Sequence, residues 1–293
     1  MAKEGQANIV IETCNGEHHE PNPGPDPGDP TFPIEITTNA DYIFAMEDQW
    51  PSYGDYDMND VVVGVSPQIA NYIDRNETKV KQVKFDVRVL AVGALKQIAA
   101  AIQLDKITSD QVESVKYSTN IKDLLGTNFY LNGNGVELNQ DRAVIPLFAS
   151  ANKLLGGNFV NVGMNDKVNP IEFTIVVNFK NNTNIKPEDL GYKALNFFII
   201  PNLDKIQSKQ RRPEIHLGGY DPTDLANPDL FDKEADNGTK KYISKDNMVW
   251  GLIIPTKDWE CPAEAVNIIT TYPHFKEWVL SAGKQYPDWY KGE

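Results

Sequence analysis

Apolar and polar residues alternate with period two along much of the chain after Ile34, which is the pattern of half-buried strands. KFDVRVLAVGA (84–94) alternates in this way and is rich in valine. IEFTIVVNFK (171–180) sets Ile171, Phe173, Ile175, Val177 and Phe179 on one face. ALNFFIIP (194–201) and MVWGLIIP (248–255) are short apolar runs, each ended by a proline. Turn residues recur between them: NGNG at 132–135, GG at 156–157, NNTN at 181–184 and GGYDP at 218–222. LKQIAAAIQL (95–104) contains helix formers, but it is short, uncapped and wedged between strand patterns, so AAAIQL is assigned as a strand. PHFKEWVLSAG (273–283) reads as a helix, with Phe275, Trp278 and Val279 on one face and Gly283 at the position after its end. The prediction is a mainly β protein: an antiparallel β-sandwich, jelly-roll-like, with a short C-terminal helix.

The organisation is simple. Residues 20–33 read EPNPGPDPGDPTFP, with six prolines in fourteen positions, the composition of an extended, semi-rigid spacer. Residues 1–33 are therefore an N-terminal segment with a Pro-rich linker, and 34–293 form the β domain. ANIVIE (7–12) is a candidate short strand that either ends a preceding module or pairs with the main domain. No internal repeat is visible.

With 293 residues the chain can bury a substantial core. A net charge of −13 disfavours nucleic acid and anionic membrane surfaces as partners. Only KQRR (Lys209, Gln210, Arg211, Arg212) is locally basic, and a loop charge cluster explains it. No apolar run is long enough for a transmembrane helix, and MAKEGQANIV has no signal-peptide core, so the expected history is export followed by removal of the signal. Two cysteines, Cys14 and Cys261, exclude a disulfide framework and a Cys-based structural zinc site; a bridge between them is not expected.

The strongest chemistry lies in EDQWPSYGDYDMNDVVVGV (47–65). Its first fourteen positions hold five carboxylates and no lysine or arginine, and then a valine strand begins. Asp55, Asp57, Asn59 and Asp60 have the spacing of the first half of an EF-hand loop, in which alternate side chains converge on one cation. The loop departs from an EF-hand at its sixth position, Asp60 instead of Gly, and at its twelfth, Ser66 instead of Glu. Further oxygens must come from elsewhere: Glu47 and Asp48 are nearest, and Glu214 is the remote candidate. Ca²⁺ fits better than Mg²⁺, which takes fewer protein ligands. The bland alternative is a solvated acidic loop on an acidic protein.

The string A-M-E-D-x-W-P-x-x-G-D-Y-D-M-N-D-V-V-V resembles the signature of the LruC-domain family of exported bacterial proteins. PEIHLGGYDPTDLANPDLF (213–231), DNMVWGLIIP (246–255) and TTYPHFKEWVLSAGKQYPDWY (270–290) extend the resemblance to roughly residues 38–293. Glu47, Asp48, Trp50, Pro51, Gly54, Asp55, Asp57, Asn59 and Asp60 match; Met58 stands where that family usually carries an aromatic. The resemblance implies a β-rich protein, secreted or anchored at the bacterial (outer-membrane) surface, often as a lipoprotein. It implies no established biochemical activity.

Other candidates are weaker. Glu214 and His216 share a strand face and could form an acid–base pair, although a packed, hydrogen-bonded pair is the default. His18 and His19 beside Cys14 fit a solvated stretch better than a zinc site. His274 is expected to be partly buried at the start of the helix. Of the C-terminal aromatics, Phe275 and Trp278 fit a core, while Trp289 and Tyr290 are the candidates for an exposed platform that stacks on a sugar. No nucleophile or metalloprotease motif is present. The reading is a non-enzymatic, calcium-binding surface or secreted interaction module whose partner is an extracellular glycan or protein. A structural component of a surface assembly and a carbohydrate-active enzyme are the alternatives.

Overall fold

The computed structural model describes residues 36–74, 77–163, 167–206 and 211–292, together with the backbone of Ile11–Glu12 and His18–His19. Cys14, the Pro-rich stretch and Lys209 lie outside the described residues. Of ANIVIE only Ile11–Glu12 (β1) is described, and it pairs antiparallel with His18–His19 (β2).

Two antiparallel sheets make the sandwich. The strands are β3 (Ile36–Asn39), β4 (Tyr42–Met46), β5 (Val61–Asp74), β6 (Glu77–Gly93), β7 (Ile98–Thr108), β8 (Val112–Tyr117), β9 (Arg142–Phe148), β10 (Phe159–Val160), β11 (Ile171–Phe179), β12 (Leu195–Pro201), β13 (Ile215–His216) and β14 (Gly251–Ile254). The larger sheet runs β14-β4-β5-β6-β11-β8, with β3 added on β5 and β10 on β6; the smaller runs β13-β12-β7-β9. The alternation seen in the sequence sets the register. Val83, Phe85, Val87 and Val89 of β6 face Val177, Ile175, Phe173 and Ile171 of β11, and together they line the inner face. The sheets meet in that core, where Phe44 of β4 stacks on Phe197 of β12 at 4.4 Å.

AAAIQL is a strand, as expected, because burial on both faces outweighs its helix propensity. Ile98 through Leu104 are all buried. Two short helices join the same core, α1 (Ile121–Leu125) beside β9 and α2 (Ala151–Leu155) beside β6 and β7.

A second core covers the outer face of the larger sheet. Ile43, Ala45, Val62, Ala91, Leu252 and Ile254 point away from the sandwich interior and pack against Trp259, Ile268, Tyr272, Phe275 and Trp289. These come from a C-terminal cap, residues 255–292, that carries α3 (Ile268–Thr271) and α4 (Phe275–Leu280). Gly283 closes α4 at φ 81°, its N–H donating to the Trp278 carbonyl at 2.9 Å, as the glycine signal requires. His274 is half-buried and stacks on Tyr286 at 3.9 Å.

The expected exposed platform at Trp289 and Tyr290 is not formed. Trp289 is only 6% exposed, and its ring lies 4.8 Å from Phe275 and 5.5 Å from Trp278. Tyr290 is half-buried and meets Trp289 edge-on. The tail folds back because the apolar side of α4 would otherwise face water.

Candidate metal centre

The acidic loop, Glu47–Asp60, joins β4 to β5 where the two cores meet. Trp50 enters the sandwich core, while Tyr56 and Met58 enter the core under the cap. These two inward side chains set the local backbone, and both residues are left-handed (φ 57° and 55°). That conformation costs a non-glycine residue roughly 1–2 kcal/mol, so something must hold it. Glu47 does. Its Oε1 accepts the Met58 N–H at 2.6 Å and its Oε2 the Tyr56 N–H at 3.3 Å. Gly54 leaves room for this carboxylate, since a Cβ there would lie 2.2 Å from Glu47 Oε2.

With Tyr56 and Met58 turned inward, Asp55 and Asp57 come together with Glu47. One oxygen from each of the three lies within 4.8 Å of the others. Asp57 is buried; its Oδ1 accepts the Asn59 N–H and its Oδ2 the Ala265 N–H. Asn59 is fully buried and donates from Nδ2 to the Pro262 carbonyl at 3.1 Å, but its Oδ1 has no hydrogen-bond partner among the described residues. A buried polar oxygen left without a donor is costly, and a cation is one way to satisfy it. The Glu264 carboxylate, from the cap, lies on the same side: a Cβ on Gly93 would fall 2.0 Å from Asn59 Oδ1 and 2.7 Å from Glu264 Oε2.

Electrostatics favour a cation here. Burial first, and then the neighbouring acids Asp57 and Asp55, push Glu47 up to about 8 despite the two backbone N–H groups that oppose the shift. Burial raises Asp57 to about 6, with Asp55 adding to the effect. Glu264 rises to about 7, again from burial and then from Asp57, Asp55 and Asp48. Asp60 is raised as well, by burial and by Asp48. Ionisation of these carboxylates beside one another is therefore costly near neutral pH, and a positive ion between them would offset that cost. The donor set is all oxygen, the chemistry of a hard divalent cation.

The predicted ligands divide into groups. Glu47, Asp55 and Asp57 converge, and Asn59 adjoins them. Asp48 and Asp60 are paired with each other instead, the Asp48 N–H donating to Asp60 Oδ2 at 2.6 Å. Asp48 also meets a cation that the sequence reading missed: Lys96 Nζ lies 2.9 Å from its Oδ1 and 2.8 Å from its carbonyl. Lys96 comes from the β6–β7 turn, and no local pattern points to it. Glu264 was missed for the same reason.

Glu214 is not a ligand of this loop. Its Oε1 accepts from Arg212 Nε at 2.7 Å and Thr223 Oγ1 at 2.8 Å, while its Oε2 meets His216 Nε2 at 3.0 Å and the Thr223 N–H at 3.1 Å. Both oxygens are thus occupied. Arg212 reaches Glu137 as well, with Nη2 2.8 Å from Oε2, and His216 stacks on Phe198 at 4.4 Å. Burial alone would raise Glu214, yet Arg212 and the hydrogen bonds hold it at about 2; burial lowers His216, against the Glu214 carboxylate that raises it. Glu214 and His216 are inaccessible to any substrate (1% and 0% exposed), so they are a packed pair and not an acid–base dyad. Arg211 is engaged with Asp229.

Comparison with known proteins supplies a family and a fold. Residues 78–290 match the model of the family described as "Domain of unknown function (DUF4842)". The matched segment holds Lys96 and Glu264 and begins after the acidic loop. No curated protein matches. Among solved structures, the chain is similar to one described as "a Putative lipoprotein from Bacteroides ovatus", with a TM-score of 0.69 at 19% identity, covering 88% of this chain and 74% of that one. At that identity the likeness concerns the fold.

Proposed function

The chain belongs to the DUF4842 family, a domain of unknown function, and from that premise we propose that it is a non-enzymatic surface module whose acidic loop binds Ca²⁺. One observation carries the reading: carboxylate oxygens of Glu47, Asp55 and Asp57 lie within 4.8 Å of one another in a mostly buried loop. The Asn59 carbonyl, lacking a donor, supports it. The number of protein oxygens favours Ca²⁺ over Mg²⁺. The ion is structural in this reading. It neutralises the loop and fixes the approach to β5, and it holds no position for a substrate.

The structural neighbour's description as a lipoprotein supports an exported, surface-anchored setting. The partner is then an extracellular glycan or protein. Trp289, being buried, does not serve as a sugar contact, and Tyr290 alone of that pair reaches the surface, at the edge of a cleft with Trp259 and Tyr272. A second cleft, of about 670 Å³ on the outer face of the larger sheet, bordered by Arg88, Lys257, Asp258, Trp259 and Glu260, is a concave surface open to a partner. The test of the metal reading is thermal unfolding in EDTA, in Ca²⁺ and in Mg²⁺, beside Asp55→Asn/Asp57→Asn. Ca²⁺ raises the midpoint of the parent protein well beyond Mg²⁺, and the double variant does not respond. A midpoint indifferent to all three conditions overturns it.

A further inference from the structure

Resting on the calcium reading above, we infer that the cation is a clasp that fastens the C-terminal cap to the sandwich, with Glu264 as the ligand supplied by the cap and Asn59 Oδ1 as the ligand facing it. The loop and the cap are already stitched together. Asp57 Oδ2 accepts the Ala265 N–H at 2.8 Å, Asn59 Nδ2 donates to the Pro262 carbonyl, Asn267 Nδ2 donates to the Asp55 carbonyl at 3.0 Å, and the Ile268 N–H donates to the Tyr56 carbonyl at 2.7 Å. Asp55 and Tyr56 hold the cap through their carbonyls, Asp57 through its carboxylate and Asn59 through its amide nitrogen. Asn59 Oδ1, on a side chain with no exposure, has no partner among the described residues and sits beside Glu264 Oε2 against Gly93.

This arrangement contains a conflict that a cation resolves. The Glu264 N–H is tied to the Val162 carbonyl at 2.8 Å, so its carboxylate is carried toward the negative loop whether or not a counter-ion is there. Without one, Glu264 repels Asp57 and opposes the docking that the four hydrogen bonds favour. With a divalent cation bound to the loop, the same carboxylate becomes a tether. Glu264 is exposed enough to swing onto the ion, and Asn59 Oδ1 gains the positive partner it lacks. The cap covers the outer face of the larger sheet, so the ion controls access to the apolar surface of Ile43, Val62, Ala91 and Leu252.

The experiment uses the whole chain with Ca²⁺ as the probe. Calcium affinity is measured by calorimetry for the parent, Glu264→Gln and Glu260→Gln; the last removes one charge from the same segment at an exposed residue that pairs with Lys167. Amide hydrogen exchange of residues 255–292 is followed with Ca²⁺ and with EDTA. The expected result is roughly tenfold or greater weakening for Glu264→Gln, little change for Glu260→Gln, and slower exchange in the cap of the parent when Ca²⁺ is present. The clasp is overturned if Glu264→Gln binds as the parent does, if Glu260→Gln weakens binding equally, or if exchange in the cap ignores Ca²⁺. A parent that takes up no Ca²⁺ overturns the calcium reading along with it, so the two failures are distinguishable.

Discussion

Glu47 carries two burdens at once, and they can be separated by mutation. Its carboxylate holds the left-handed backbone of Tyr56 and Met58 through two N–H groups, and it is one of three converging acids. Asp55 carries only the second burden, being exposed and without a side-chain hydrogen bond among those described. Glu47→Ala should therefore destabilise the protein by about 2–4 kcal/mol even in EDTA, since it leaves buried donors unpaired. Asp55→Asn should cost no stability in EDTA, where it relieves the repulsion of Glu47 and Asp57, and should reduce the calcium response. Denaturant unfolding in EDTA checks both, and equal losses for the two variants would contradict this division.

Arg212 poses a different problem, that of a cation with no exposure between Glu137 and Glu214. Removing it as Arg212→Met should cost about 3–5 kcal/mol, because two buried carboxylates lose their counter-charge. The sign of the pH effect follows from Glu214. Its folded value of about 2 lies below the ordinary 4.5, so its contribution is fully present above pH 4.5 and is lost as pH falls toward 2. Acid unfolding of the parent should steepen over that window, and the Arg212 variant should lack the dependence. Arg212, Glu214 and His216 were legible as a group in R-P-E-I-H, where period two puts all three on one face. The shorter reach to Arg212 should have outweighed the long reach to the acidic loop.

Among the elements, strands were read where one periodicity dominates. β6 and β11 alternate cleanly because one face of each meets the sandwich core. β7 was legible only by context, since two-sided burial removes the alternation. What the chain's local pattern does not carry is the cap's docking. Trp289 looks like an exposed terminal aromatic until α4 is placed on the outer face of the larger sheet, and then it is the residue that closes the second core. Trp289→Ala should lower stability by about 3–5 kcal/mol and make residues 255–292 more susceptible to protease, with glycan or protein binding unchanged in the folded fraction. Retained stability with lost ligand binding would restore the exposed platform. Lys96 and Glu264 were invisible for the same reason: each reaches the acidic loop only through pairing of distant segments, in one case a β turn and in the other the cap.

Across the whole molecule, the acidic loop is the junction of two cores. Trp50 belongs to one and Tyr56 and Met58 to the other, so the charge state of the loop bears on both the sandwich and its cap. A cation there would couple the docking of residues 255–292 to the Ca²⁺ concentration around the protein. Calcium titration of the full chain by calorimetry, repeated with Asp55→Asn/Asp57→Asn, tests this account most directly. The account predicts saturable binding by the parent, much weaker binding of Mg²⁺, and none by the double variant. Binding that survives in the double variant, or a parent that takes up no Ca²⁺, would contradict it and leave the loop as five acids held by burial, backbone N–H groups and Lys96 alone.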